Sequence, residues 1–357
     1  MTRSFVPPAH PRAAHRRTLR KAEDIAAAGL TPAERVAEIE AVAARYAVAI
    51  TPTLADLIDP SDRNDPIARQ FVPDSRELTA QPAERDDPIG DDLHAPIKGI
   101  VHRYPDRVLL TPILHCPVYC RFCFRRERVG GEEGALSEAE LTRALDYIRS
   151  HEQIWEVVIT GGDPLMLAPA RLNTLIRILD GIAHVKTIRI HSRIPISDPE
   201  RVSPALLEAL ETETALWIAV HCNHSRELGA LATAACHRLS RAGIPLLGQT
   251  VLLKGVNDTP AVMEELMRAM VSRRIKPYYL HHLDLAPGTD HFRTTIAAGQ
   301  DVMRYLRGRA SGLCQPSYVL DIPGGHGKAP VGPVYWDGDR IEDWQGEKHA
   351  YPPTEAD

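Results

Sequence analysis

From about residue 107 onward, short apolar runs alternate with amphipathic stretches. The runs occupy residues 108–114, 157–160, 187–191, 216–221, 246–252 and 278–283. Helical periodicity falls between them, at 137–151, 172–182, 204–210 and 264–272 among others. Strand and helix alternating at this spacing predict parallel strands joined by helical crossovers. Six such units allow an open doubly wound sheet or a partial barrel, and both gather active-site residues at the carboxyl ends of the strands. The polar motifs fall at those ends. Cys116 follows the first run, Gly161-Gly162-Asp163 the second, His191-Ser192-Arg193 the third and His221 the fourth. Gln249 lies within the fifth run, and Asp284 follows the sixth.

Ahead of this rhythm, residues 21–60 read as helical. Thr31-Pro32-Ala33-Glu34 has the form of a capping box with Pro at the first helical position, followed by Val36, Ile39, Ala43 and Tyr46 at helical spacing. Residues 60–100, rich in Asp and Pro, read as a long ordered loop wrapping something larger. Residues 1–20 carry five arginines and no acid, interrupted by Pro7, Pro8 and Pro11, and read as a solvated basic tail. The expected division is therefore a tail (1–20), a helical region with its wrapping loop (21–100), a barrel (101–295) and a C-terminal helix and lysine segment (296–357).

Composition narrows the function classes. The 357 residues carry 42 Lys and Arg against 47 Asp and Glu, a net charge of -5, which is not the basic footprint of a nucleic-acid binder. No apolar run is long enough to span a bilayer, and none near the start reads as a signal peptide. A cytoplasmic enzyme is the expectation.

Three of the six cysteines crowd into His115-Cys116-Pro117-Val118-Tyr119-Cys120-Arg121-Phe122-Cys123, directly after the first strand. In a chain without secretion signals, such crowding points to metal or redox chemistry before disulfides. Three close thiolates suit an iron–sulfur cluster and leave one iron without a protein ligand. A structural zinc site would need a distant fourth ligand. Cys222, Cys236 and Cys314 are scattered and read as small buried apolar residues. A second concentration lies at Asp321-Ile322-Pro323-Gly324-Gly325-His326-Gly327-Lys328. Its order does not match a phosphate-binding P-loop, since no Ser or Thr follows the lysine. A lysine amine there can form a Schiff base with pyridoxal phosphate, or it can stand solvated on a flexible loop.

The C-x3-C-x2-C spacing resembles that of the radical S-adenosylmethionine superfamily. Together with the Lys328 loop, the chain resembles the lysine 2,3-aminomutase family over about residues 51–335. Matching segments include Leu57-Ile58-Asp59-Pro60, Asn64-Asp65-Pro66-Ile67, His102-Arg103-Tyr104-Pro105-Asp106-Arg107-Val108, Gly255-Val256-Asn257-Asp258 and His291-Phe292-Arg293-Thr294. The resemblance selects an α/β fold built as a partial (β/α)6 barrel, with an N-terminal helical extension and a C-terminal segment bearing the pyridoxal phosphate lysine.

The resemblance also implies a site. Cys116, Cys120 and Cys123 would hold a [4Fe-4S] cluster whose free iron binds S-adenosylmethionine. Gly161, Gly162 and Asp163 would meet the methionine end of that cofactor, and His221, Gln249 and Phe122 would line its pocket. Lys328 would carry pyridoxal phosphate, held by Arg103, Tyr104 and Arg107, whose cations suit a phosphate. Arg125 would pair with the substrate carboxylate. Asp284 and Asp321 would bind the side-chain ammonium of lysine, since a buried ammonium requires opposite charge.

The implied reaction interconverts L-lysine and β-lysine through a radical drawn from S-adenosylmethionine, with a flavodoxin or ferredoxin type protein as electron donor. Alternatives are a relative that makes β-lysine for elongation factor P, an aminomutase for another cationic amino acid such as arginine, and a non-catalytic electron-transfer protein. Two departures stand out. Thr259 occupies a position where the family places a zinc-ligating cysteine, and no cysteine-rich C-terminal segment follows, so the family's zinc site is expected to be absent and homo-oligomerisation is left open. His281 replaces a tyrosine near the substrate.

Overall fold

The computed structural model describes residues 17–131 and 134–352. Nine strands form one sheet in chain order: β1 (Ile100–Tyr104), β2 (Arg107–Ile113), β3 (Glu156–Gly161), β4 (Thr187–Ser192), β5 (Ala215–His221), β6 (Leu246–Val251), β7 (Ile275–His281), β8 (Ser317–Ile322) and β9 (Gly327–Pro330). Pairing is parallel from β2 to β8 and antiparallel at the two edges. Ahead of the sheet lie α1 (Ala22–Ala27), α2 (Val36–Ala43), α3 (Pro52–Ala55) and α4 (Pro66–Phe71). The crossovers carry α5 (Glu138–Ser150), α6 (Pro169–Asp180), α7 (Ile194–Ser197), α8 (Pro204–Ala209), α9 (Ala230–Arg241), α10 (Pro260–Val271) and α11 (Ile296–Leu306).

Local sequence explains these elements. Ser137 and Glu140 form a reciprocal capping box that starts α5, and Leu141, Ala144, Leu145 and Ile148 turn one buried stripe toward the sheet. The main core lies between the strands and these outer helices, with Val157, Ile159, Ile188 and Ile190 from the sheet against Leu172, Leu175, Ile176 and Leu179 of α6.

Strand twist curls the sheet until its edges approach. The Lys328 amide on β9 donates to the Tyr104 hydroxyl at the end of β1, 2.7 Å away. The result is a nearly closed barrel, the partial barrel that the resemblance implies but with seven parallel strands. The pattern overlooks β1, β8 and β9. The run in β8 resembles the others, but the Pro-Gly-Gly that follows reads as loop, and that turn in fact reverses the chain into β9.

The N-terminal region also differs in detail. Thr31 does not cap a helix; a 3-10 turn (Ala33–Arg35) follows Pro32, and α2 begins only at Val36. The stretch expected to be loop contains α4, because Asp65 accepts from the amides of Ile67 and Ala68 and caps it. Residues 1–16 of the expected tail lie outside the described residues. Order is already present at Leu19, which exchanges backbone hydrogen bonds of 2.8 and 3.0 Å with Ile50. After β9, a small separate sheet of β10 (Trp336–Asp337), β11 (Arg340–Glu342) and β12 (Lys348–Ala350) follows. Among the described residues, no helix is long and apolar enough to cross a membrane.

Candidate active site

The cysteine loop leaves the end of β2 and is fixed from outside the barrel. Tyr119 and Arg121 donate their amides to the carbonyls of Ala49 and Gln70. The Arg121 guanidinium grips both oxygens of Glu77 at 2.6–3.0 Å, and Arg126 binds the same carboxylate. All three side chains are buried. The N-terminal helices and the loop after them therefore hold the cysteines in place. The three thiols are free, and burial pushes each of them up, that of Cys123 to about 11. Iron would bind them as thiolates and supply the charge that burial disfavours. Among the described residues no three metal-binding side chains converge on one point. In a four-iron cluster each cysteine binds its own iron, so convergence is not required.

The glycine motif is built into the same loop. Gly161 has φ +107°, and a Cβ on it would stand 2.8 Å from the Ile113 carbonyl; one on Gly162 would overlap the His115 backbone. Gly162 and Asp163 donate their amides to Ile113 and His115 at 2.7 and 2.9 Å. These glycines thus let the end of β3 lie directly against the start of the cysteine loop. Asp163 is buried, and its carboxyl is pushed up to about 6 by burial against the hydrogen bonds it accepts. Those come from the Ser192 hydroxyl and the amides of Leu165, Arg193 and Ile194, so Asp163 ties β3 to β4.

At the far side, β8 and β9 place Asp321 and Lys328 directly opposite each other. The Lys328 ammonium donates to both Asp321 oxygens at 2.7 and 2.6 Å. Gly327 lies at φ +87° with its Cβ position 2.7 Å from the Tyr104 hydroxyl, which only glycine tolerates here. The Arg107 guanidinium stacks 3.9 Å above the Tyr104 ring. Asp284 is enclosed, and its Oδ1 has no hydrogen-bond partner among the described residues. Burial and the neighbouring Asp321 push its carboxyl up to about 7, against the pull of Lys328 and Arg125.

Between these two ends lies a cavity of about 430 Å³. All of the residues that the resemblance assigns to the site line it, from Cys116, Cys120 and Cys123 to Lys328. His221 and His191 face it with buried Nε2 atoms that have no partner among the described residues, and burial holds both rings neutral. Phe122 lies edge-on to His221, with ring centroids 5.8 Å apart. The Gln249 amide donates to His281 Nε2 at 3.0 Å, which turns His281 Nδ1 toward Asp321, 3.8 Å away.

Sequence reasoning missed several of these polar groups. Asp91 receives Arg103 on one oxygen at 2.9 Å and Arg125 on the other at 2.8 Å. It came from the stretch read as wrapping loop, where nothing separates it from neighbouring acids. Arg189, inside an apolar run, and Glu156, just ahead of one, pair at 3.0 Å on adjacent strands and gave no signal except as polar residues in otherwise apolar strands. Asp91→Asn should leave the fold intact while both guanidinium groups lose their fixed direction. We expect kcat/KM to fall ~100-fold, the scale of an ångström-sized misplacement. Steady-state kinetics beside a melting curve would check this, and unchanged kcat/KM would deny Asp91 a positioning role.

The comparisons follow this geometry. The family model described as "Radical SAM superfamily" matches residues 110–267, which run from β2 into α10. The chain is a radical S-adenosylmethionine enzyme, with a [4Fe-4S] cluster and S-adenosylmethionine as its cofactors. Among curated relatives, the L-lysine 2,3-aminomutase of Clostridium subterminale is 42% identical over 288 residues, 81% of this chain and 69% of the relative. That of Methanococcus maripaludis is 41% identical over 85% of this chain and 71% of its own. The glutamate 2,3-aminomutase of Clostridioides difficile is 36% identical over 83% and 70%. The chain belongs to the lysine 2,3-aminomutase family and is an isomerase of the aminomutase type.

Proposed function

We propose that this enzyme interconverts L-lysine and β-lysine by moving the amino group between C2 and C3, with pyridoxal phosphate on Lys328. The observation that carries the substrate assignment is the acidic pair. Asp284 presents a buried carboxylate oxygen with no partner among the described residues, and Asp321 already binds one alkylammonium, that of Lys328. An unpaired buried carboxylate is costly, so the pair fits a ligand that brings its own positive charge. Glutamate would place a third carboxylate there.

The residues present fit the cofactor. Lys328 opens onto the cavity, and Arg103 has a buried Nε without a hydrogen-bond partner among the described residues, as an anion site would. Pyridoxal phosphate would supply an imine through which the migrating nitrogen is held. Arg103, Tyr104 and Arg107 would hold its phosphate. Arg125, aimed by Asp91, would bind the substrate carboxylate, while Asp284 and Asp321 anchor the far end of the substrate. The substrate is thereby gripped at both ends, which fixes C3 relative to the cysteine end of the cavity. Neutral His191 and His221 add no cation that would compete with the ammonium for the acids.

Anaerobic turnover of the reconstituted enzyme with a mixture of lysine, arginine, ornithine and glutamate tests the assignment. β-Lysine as the product supports it, and β-glutamate or β-arginine instead would overturn the substrate. Product configuration, read by chiral mass spectrometry, distinguishes enantiomeric lysine products. The acid pair also predicts a pH dependence. The groups acting on Asp284 are Asp321, Asp91, Lys328 and Arg125. Its ionised form binds an ammonium, so KM for lysine should fall ~10-fold between pH 6 and pH 8 as the carboxyl titrates near 7. Asp284→Asn should raise KM and flatten that profile; a variant retaining the wild-type profile would exclude Asp284 as the titrating group.

A further inference from the structure

We infer that Arg193 tunes the reduction potential of the cluster through a hydrogen bond to Cys120. Its Nη1 donates to Cys120 Sγ at 3.1 Å. Among the described residues, neither Cys116 nor Cys123 receives a hydrogen bond from a side chain, so the three thiolates are inequivalent. Arg193 is 6% exposed, and its direction is fixed by its other amino group, Nη2, which donates to Gln70 Oε1 at 2.8 Å and Glu227 Oε2 at 2.6 Å. Those acceptors are themselves held. Glu227 accepts from the Asn223 and His224 amides at 3.0 and 2.9 Å, and Gln70 and Asn223 close the network at 3.1 Å. Phe71 and Phe122 lie beside the guanidinium, 4.7 and 5.5 Å away by ring centroid.

The electrostatics follow from that arrangement. Glu227 sits on one amino group and the sulfur on the other, so the pair turns its positive end toward Cys120. Reduction adds one electron to the cluster and increases the negative charge on its sulfurs. A buried donor at a sulfur therefore stabilises the reduced state more than the oxidised one and raises the potential. Arg193 exchanges no atom or electron. The electron comes from a low-potential reductant and passes on to S-adenosylmethionine, whose sulfur–carbon bond breaks to leave methionine and a carbon-centred radical. Because Gln70 lies on α4, the network also links this tuning to the N-terminal region that fixes the cysteine loop. Arg193 is thus a positioning residue for the electron-transfer half of the reaction, independent of which amino acid is rearranged.

The inference rests on the cluster, so iron and sulfide content are measured first on the reconstituted full chain. A wild-type chain that binds no cluster would refute the cluster reading itself. With the cluster present, a dithionite titration followed by electron paramagnetic resonance gives the midpoint for wild type, Arg193→Met and Arg193→Lys. Arg193→Met should lower the reduction equilibrium constant ~10-fold, equivalent to ~59 mV downward for a one-electron couple. Arg193→Lys, which keeps the charge with a shorter reach, should shift the same way by less. Loaded variants with wild-type midpoints would overturn the inference. Should the variants fail to load, wild-type enzyme grown on guanidino-15N arginine decides. A 15N coupling to the reduced cluster supports the hydrogen bond, and its absence refutes it.

Discussion

Lys328→Ala should reduce aminomutase turnover on the order of a millionfold, the scale of deleting a covalent catalytic group. The lysine lies opposite Asp321 in the β8–β9 register, with its amine between the edge of the barrel and the cavity. Among the described residues no other lysine lines the cavity, so no neighbour there can take over a covalent link. The same substitution removes the ammonium that Asp321 holds with both oxygens, leaving Arg103 at 4.0 Å as the closest remaining guanidinium. Borohydride reduction in the presence of pyridoxal phosphate, followed by peptide mass spectrometry, should label Lys328 in the wild type and nothing in the variant. Turnover that survives the substitution, or a label on another lysine, would remove Lys328 from the chemistry. Cluster content should not change, because the cysteine loop is anchored elsewhere.

Glu77→Gln should have the largest effect on stability. Glu77 is fully buried between Arg121 and Arg126, and three of the bonds it accepts come from Arg121. Removing its charge leaves two buried guanidinium groups facing a neutral amide that can satisfy only part of their hydrogen bonding. Breaking a buried ion pair from one side costs ~3–5 kcal/mol, which would lower Tm by roughly 5–15 °C. Arg121 lies between Cys120 and Cys123, and Arg126 lies three residues beyond the last cysteine, so the damage should reach the cluster. Iron bound per chain should fall together with Tm. An unchanged melting temperature with full iron content would show that the carbonyls of Ala49 and Gln70 and the loop backbone suffice to hold the cysteines.

These two residues mark how legible the molecule was. Lys328 stood out because its glycines, its acid and its amine are contiguous in sequence. Glu77 did not, because a glutamate that binds two arginines some 45 residues away looks like any solvated acid. The same contrast separates Asp284, found through resemblance, from Asp91, which no local pattern distinguishes from Asp87 or Asp92. It also applies to the glycines at 161 and 162. The resemblance implies that they meet the methionine end of a cofactor, and the structure adds that they let a strand end lie against the cysteine loop.

Hydrophobic periodicity determined the strand–helix alternation, and with it the end of the barrel where the cysteines, glycines and acids gather. It could do so because the period of two or 3.6 residues is a local property of each element. The contiguous cysteine motif marked the candidate cluster ligands for the same reason. Tertiary structure decided the closing of the sheet through Tyr104 and Lys328, the edge strands β1 and β9, and the pairing of Asp91, Glu77 and Arg193 with partners far along the chain. Those features depend on which charges are buried together. Burial is set by the packed fold, and a buried ion pair has no signature until both halves have been brought out of water.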